Sequence, residues 1–184
     1  MHHDEIWQLY YPNGEPIPGV GWESARDNPE CSGSDEIVGV AVIFLYRVKD
    51  GVLEVLWQKR AETVDRFPGY YDISAGGHIN LGESLVEAAI RETYEEIGAK
   101  ISAEDLYFVT MRPFNKNRFA WVFCVDYSDR PDDFKFNDHE VSEVKWVPYD
   151  ELNNFWHTEA KPPLQKDHLT YDCLTDWLKM HGYL

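Results

Sequence analysis

The chain of 184 residues carries 33 acidic residues against 17 lysines and arginines, which gives a formal net charge of −16. Its length and its hydrophobic fraction of 43% predict one globular domain whose core needs no disulfide or metal to hold it together. Because nucleic acids are bound mainly by Lys and Arg on phosphate, the acidic excess argues against nucleic acid as a partner.

The first third of the chain predicts two β-hairpins. Residues 5–11 read as a short strand that turns at a Pro-Asn-Gly sequence and returns, and residues 19–34 read as a polar loop. Residues 37–47 are almost continuously apolar or β-branched, as in a central strand that is covered on both faces. Residues 52–60 alternate and complete a second hairpin with that strand. The first hairpin and the loop form an N-terminal extension at about residues 1–36.

The second half of the chain predicts a third hairpin, a further strand and two helices. Residues 106–114 and 118–127 read as the paired strands, and residues 143–147 as the further strand. Residues 148–155 are predicted to form the beginning of a helix, and residues 166–181 are predicted to form a final amphipathic helix. Strands interleaved with helices predict a layered α/β arrangement.

The most informative stretch is residues 77–99, GHINLGESLVEAAIRETYEEIGA. An α-helix turns about 100° per residue, so Glu92, Glu95 and Glu96 fall on one face. Two unit charges about 5 Å apart at an effective dielectric constant of about 20 repel by roughly 3 kcal/mol, which a divalent cation would relieve. Carboxylate oxygens suit Mg²⁺ or Mn²⁺. Glutamate-rich faces are often plain solvated surface, but such a surface requires no fixed spacing to a preceding glycine and glutamate.

This stretch resembles the Nudix box, in which seven positions have a fixed identity and spacing. All seven are met, by Gly77, Glu83, Arg91, Glu92, Glu95, Glu96 and Gly98. The family prefers bulky aliphatic residues where this chain has Thr93 and Ala99, a difference that concerns packing more than chemistry. The resemblance implies a single domain over residues 1–184 with the Nudix fold, a mixed β-sheet sandwiched between α-helices. A looser likeness over most of the chain points to the branch that includes isopentenyl-diphosphate isomerase.

The resemblance also implies a catalytic metal site. Glu92, Glu95 and Glu96 would hold one or more Mg²⁺ or Mn²⁺ ions, with the carbonyl oxygen of Gly77 as a further ligand. An anionic diphosphate resists attack by water, so cations that neutralise its oxygens and a base that prepares the water would both be needed.

Four other positions receive roles beside the metal. Glu83 and Arg91 would fix the loop against the helix, and Gly98 stands where a helix needs a residue that tolerates the left-handed conformation. The general base would be one of the helix acids or Glu140, which is otherwise a surface acid.

A further set of side chains is suited to substrate binding by charge or ring chemistry. Arginines could contact phosphate, an aromatic ring could stack on a base, and a histidine beside the glycine loop could approach metal or phosphate. The candidates are Arg60, Arg66, Tyr71, His78 and Arg112.

The expected activity is that of a metal-dependent pyrophosphohydrolase, in which water attacks phosphorus. Its small-molecule substrate would be a nucleoside diphosphate linked to another group, as in nucleoside di- and triphosphates, sugar nucleotides and dinucleotides. One alternative is isopentenyl-diphosphate isomerase, although that chemistry uses a cysteine where this chain has Gly76. A second is a nucleotide-binding sensor without turnover, although such relatives typically carry eroded boxes. Family members are often dimers, which leaves a homodimer open.

The sequence gives no sign of export, membrane insertion or a disulfide framework. Cys31, Cys124 and Cys173 are far apart and form no CxxC pair. No run of about 18 apolar residues occurs, and the polar first residues lack the apolar core of a signal peptide. We therefore expect a reduced, cytoplasmic protein without a membrane partner.

Overall fold

The computed structural model describes residues 5–23, 37–115, 117–137 and 139–184. Cys31 and most of the predicted polar loop lie outside these ranges. Within them, the strands form one nine-stranded mixed sheet. They are β1 (Ile6–Tyr10), β2 (Pro16–Glu23), β3 (Ile37–Lys49), β4 (Val52–Arg60), β5 (Tyr71–Asp72), β6 (Ala75–His78), β7 (Tyr107–Asn115), β8 (Arg118–Asp126) and β9 (Val141–Pro148).

Strand β3 organises the sheet. Along one edge it pairs in parallel with β8, which pairs in turn with β7. Along the other edge it pairs antiparallel with β1, β6 and β4, one after another. Strand β4 continues beyond β3 and pairs with β5 and β9. The nearly continuous apolar sequence of β3 is therefore explained by a strand that has neighbours on both edges and packed layers on both faces.

Four helices cover the two faces of this sheet. They are α1 (Leu85–Ile97), α2 (Tyr149–Thr158), α3 (Pro162–Gln165) and α4 (His168–Met180). Successive side chains of a strand point to opposite faces. Thus Phe44 packs with α2, α3 and α4, whereas its neighbours Ile43 and Leu45 pack on the side of α1. The result is the predicted mixed sheet between helices. No described helix is long and apolar enough to cross a bilayer.

The predicted elements agree with the structure, with small shifts at their ends. All three hairpins are present, and the final helix begins at His168. The loop predicted at residues 19–34 was placed too early, because β2 continues to Glu23 and pairs with β1 over that length. Strand β1 also pairs with β3, so the N-terminal hairpin is part of the main sheet.

Candidate active site at the glycine loop and helix α1

Helix α1 is held in place at both ends and along its buried side. Ser84 and Glu87 form a capping box at the first turn, with hydrogen bonds of 3.2 and 2.9 Å. Gly98 ends the helix in the left-handed conformation, at a φ of 69°. Between them, Ala88 and Ala89 are fully buried and allow the helix to lie close to the sheet. The acidic side chains of α1 are thus carried by a rigid element next to β6.

Arg91 ties the loop before α1 to the helix itself. Its Nε and Nη2 donate to the two carboxylate oxygens of Glu83, at 2.8 and 2.9 Å. Nη2 also donates to the carbonyl oxygen of His78, at 2.9 Å. A two-point contact between guanidinium and carboxylate fixes both distance and angle. Glu83 and Arg91 thus join the loop to the helix, and their role in positioning a catalytic site stays a prediction.

The carboxylates of Glu92 and Glu95 both accept hydrogen bonds from Nη1 of Arg91, at 2.8 and 3.0 Å. Glu92 lies directly against Gly77, where an added Cβ would be only 2.2 Å from its Oε1. Burial raises the pKa of Glu92 to about 7; the charge of Arg91 opposes this rise, and those of Glu5 and Glu95 add to it. The ionised form of Glu92 is thus short of neutralising charge.

Glu96 has a different environment. It is buried, and its Oε2 accepts hydrogen bonds from the backbone N–H of Gly76 at 2.8 Å and from Nε2 of Gln58 at 3.0 Å. The three glutamates share a face of the helix, as predicted, but Glu92 and Glu95 are partly exposed whereas Glu96 is buried. Glu96 is the buried member of the three, and its hydrogen bond to Gly76 joins α1 to β6, which is called the glycine strand below because it contains Gly76 and Gly77.

The oxygen donors at this site fit a hard divalent cation. In the part of the chain that the structure describes, no three His, Cys, Asp or Glu side chains are grouped to hold a metal ion. The reason is local, because Arg91 draws Glu92 and Glu95 to itself while Glu96 is turned to Gly76. A cation beside Glu92 would stabilise the ionised carboxylate that burial disfavours, and carboxylates are ligands that Mg²⁺ and Mn²⁺ accept.

Gly76 occupies the position where the isomerase chemistry would require a cysteine. An added Cβ there would lie 2.6 Å from the carbonyl oxygen of Ala41 and 2.7 Å from Cδ1 of Ile73. The first of these is backbone of the paired strand β3, which cannot move aside without disturbing the ladder. A side chain at this position would be overpacked against the backbone of β3, and Gly76 itself offers no thiol for proton transfer.

His78 follows Gly77 in β6, so its ring points to the face of the sheet opposite to α1 and Glu92. It stacks on Trp7 with 3.6 Å between ring centroids and 8° between planes. Burial lowers the pKa of His78 to about 3, and the positive charges of Arg118, Arg66 and Arg91 act in the same direction. The imidazole is therefore neutral at physiological pH and lies within the field of three guanidinium groups.

Two further candidates lie at the end of β4. Arg60 donates from Nε to the backbone oxygen of Arg66 at 2.9 Å, and its Nη1 is 3.7 Å from the buried carboxylate of Asp72. The phenol of Tyr71 donates to Glu143, and burial and then this bond raise its pKa well above the usual range. Arg60 is thus held by a backbone oxygen and the carboxylate of Asp72, and Tyr71 by the carboxylate of Glu143.

The last two candidates are Arg112 and Glu140, whose contacts described below are with residues other than the glutamates of α1. Arg112 is buried, forms an ion pair with Asp167 at the start of α4, and donates to the oxygen of Pro113 at 2.8 Å. These contacts join β7 to α4 and lend no support to a role in substrate binding. Glu140 is exposed, and its backbone oxygen accepts from the N–H of Ala61 at 2.7 Å. This places it at the junction of β4 and β9.

Sequence reasoning missed three contributors to the site, Glu5, Trp7 and Gln58. Glu5 acts on the pKa of Glu92, Trp7 covers His78, and Gln58 binds Glu96. Gln58 directly follows the apolar run Val55, Leu56 and Trp57 of β4, and a buried polar side chain usually has a specific partner. Nothing local in the sequence connects Glu5 and Trp7 with residues more than 70 positions further along.

Comparison with known families and proteins agrees with this geometry. The family model described as NUDIX domain matches residues 36–167, which is more than half of the chain. A protein of Arabidopsis thaliana described as Nudix hydrolase 3 is 35% identical in an alignment 117 positions long, which covers 58% of this chain and 15% of that protein. An Escherichia coli K12 protein described as uncharacterized Nudix hydrolase YfcD is 35% identical in an alignment 112 positions long, which covers 57% of this chain and 57% of that protein. The chain thus spans less than two thirds of the length of these two relatives.

A similar fold occurs in a solved structure. The crystal structure of DR0079 from Deinococcus radiodurans aligns with a TM-score of 0.67 over 92% of this chain and 99% of that one. The two sequences are 24% identical over the alignment, so the likeness concerns the fold.

Proposed function

Because the chain belongs to the Nudix family, we propose that it is a divalent-metal-dependent hydrolase acting on a nucleoside diphosphate linked to another group. Water would attack phosphorus and break the diphosphate linkage. The observation that carries this proposal is the glutamate cluster on α1, where the carboxyl of Glu92 is buried against Gly77 with its pKa raised to about 7. Burial disfavours the ionised form of such an acid, and a bound cation would stabilise that form.

The residues of α1 and β6 would have different roles in binding the metal ion. Glu92 and Glu95 would hold the ion, which we propose to be Mg²⁺ or Mn²⁺, with the carbonyl of Gly77 beside them. When bound, the ion neutralises phosphate oxygens and lowers the pKa of water. Arg91 holds both carboxylates in position, and Glu96 keeps the glycine strand at its distance from α1.

The general base would be one of the acids of α1 or Glu140. A carboxylate that binds the ion is a weaker base, so the base would be an acid of α1 that does not ligate the ion, or Glu140, which is exposed at the junction of β4 and β9. We further propose that the chain is one domain, because the hairpin β1–β2 pairs with β3 in the same sheet.

The test is a panel of nucleotides with Mg²⁺ or Mn²⁺, scored by the identity of the products, with ¹⁸O-labelled water to show which phosphorus is attacked. Glu95→Gln is the informative variant, since Glu95 is half-exposed and bound to Arg91, which a glutamine oxygen can also contact. We expect turnover to fall at least about a hundredfold, as when a metal site loses a ligand. Glu104→Gln, an exposed acid on the short 3-10 helix Ala103–Asp105, is the matched control and should keep wild-type turnover.

Two results would contradict the proposal. One is wild-type turnover in Glu95→Gln protein. The other is a wild-type protein that hydrolyses no member of the panel but rearranges isopentenyl diphosphate.

A further inference from the structure

The N-terminal hairpin lies outside residues 36–167, yet it is bound to the loop that precedes α1. The N–H of Gln8 donates to the oxygen of Ile79 at 2.8 Å, and the N–H of Leu81 donates to the oxygen of Ile6 at 2.7 Å. The side chain of Gln8 also accepts from the N–H of Gly82, at 3.3 Å. Strand β1 thus lies beside the segment that directly follows the glycine strand β6, and these contacts are called the β1 wall below.

This wall brings together three side chains whose polar groups are not all satisfied. Trp7 lies opposite Asn80 in an isolated β-bridge, and its ring stacks on His78. The Nε2 of His78 and the Oδ1 of Asn80 are both enclosed and have no hydrogen-bond partner among the described residues. Because buried polar atoms are nearly always paired, these two atoms indicate a missing partner. The indole N–H of Trp7 is directed instead to Glu5, at 3.3 Å.

Strand register places Arg118 on the same face as His78. Val38 pairs with Arg118 of β8, and Val40 pairs with His78 of β6. Positions 38 and 40 share a face, so the two side chains flank β3 on that face, two strand spacings apart across the sheet and two residues apart along it, or about 12 Å in all. A guanidinium on its flexible stem spans much of that distance. Arg66, from the loop after β4, is exposed and forms no ion pair with any residue that the structure describes.

We propose that Trp7, His78 and Arg118, together with Arg66, form a subsite for an anionic group of the substrate that lies beyond the scissile diphosphate. The inference rests on the proposed function, because a substrate that is cleaved at α1 would reach this face past the end of β6, where Gly77 and His78 are consecutive residues. It favours substrates with a further phosphate or carboxylate over those in which the linked group is uncharged.

The chemistry of the face supports an anion. Guanidinium groups bind phosphate and carboxylate oxygens in two-point contacts, and the Nε2 of a neutral imidazole donates one more hydrogen bond in the tautomer that carries the proton there. Stacking on Trp7 fixes the plane of the ring and hence the direction of that donor. In a chain with a net charge of −16, a local excess of arginine beside an acidic cluster is the condition for binding a polyanion that the rest of the surface repels.

The first test measures binding without catalysis. Inorganic pyrophosphate is titrated into the full-length protein in EDTA, by calorimetry. We expect Arg66→Gln and Arg118→Gln each to weaken binding about tenfold, since each removes a charge-assisted contact. Arg130→Gln, which loses the same charge but pairs with Asp105 elsewhere, should bind as the wild type does. Thermal melting confirms that all variants are folded.

The second readout is the imidazole ¹⁵N signal of His78, assigned with His78→Gln, which should shift on addition of pyrophosphate. The proposal is overturned if wild type and both variants bind equally, or if the wild type shows neither heat nor a ring shift at about 10 mM pyrophosphate. Because no turnover is needed, failure here is distinct from failure of the proposed hydrolase activity. If hydrolysis is found, Arg118→Gln should raise KM more for a nucleoside triphosphate than for a sugar nucleotide with an uncharged sugar.

Discussion

Replacing Gly77 by alanine tests whether the position of the Glu92 carboxylate matters to the site. The new Cβ would lie 2.2 Å from Oε1 and 2.3 Å from Cδ of Glu92, so the carboxylate has to move by about 1 Å or more to reach ordinary contact. It is the end of a flexible side chain, and it can move while β6 stays in place. Gly77 has no positive φ, so the backbone itself accepts alanine.

The expected result is a stable protein with a damaged site. Displacement weakens the hydrogen bond from Arg91 to Glu92, at a cost of about 1 kcal/mol, and Tm should fall by only about 2 to 4 °C. A reacting or ligating group misplaced by about 1 Å lowers activity about a hundredfold. We expect kcat/KM to fall by that factor and the rise in Tm on adding Mg²⁺ to be lost.

Gly76→Ala is the matched comparison, because it adds the same methyl group one residue away. Here the Cβ meets the backbone oxygen of Ala41 at 2.6 Å, which the strand pairing holds in place. We expect a cost of about 1 to 3 kcal/mol from overpacking and a fall in Tm of up to about 10 °C. Wild-type turnover in Gly77→Ala protein, or a loss of stability as large as that of Gly76→Ala, would refute the reasoning.

Two further predictions concern pH and the buried ion pair. Because the pKa of Glu92 is raised from 4.5 to about 7, the folded protein without metal binds more protons than the unfolded chain between these values, and it loses about 2 to 3 kcal/mol of stability as pH rises through about 7. Metal binding needs the ionised form, so thermal denaturation should show a larger Mg²⁺-induced rise in Tm at about pH 8 than at about pH 6. A rise of equal size, or one that persists unchanged in Glu92→Gln, would contradict this. Arg112→Met should lower the free energy of unfolding by about 3 kcal/mol, because Asp167 is left as a buried carboxylate without its cation, while KM of the folded protein stays unchanged. Denaturant unfolding and steady-state kinetics decide this, and a raised KM with normal stability would instead assign Arg112 to the substrate.

The sequence by itself determined the features that depend on short separations along the chain. The helix at residues 85–97, its cap at Ser84, its end at Gly98 and the common face of its glutamates all follow from helical periodicity and local capping chemistry. The central strand and the hairpins follow from apolar runs and turn residues. The seven fixed positions of the box identified the family for the same reason, since they lie within 22 residues of one another.

The tertiary structure decided how those local elements meet. It alone shows that Glu96 binds Gln58 across 38 positions, that Trp7 covers His78, and that Arg112 is joined to Asp167 across 55 positions. These contacts depend on strand register and on which edge of β3 each strand joins, and hydrophobic periodicity does not encode either choice. The sequence therefore named the acids of the site, while the packing of distant strands set their partners, their burial and the charge of Glu92.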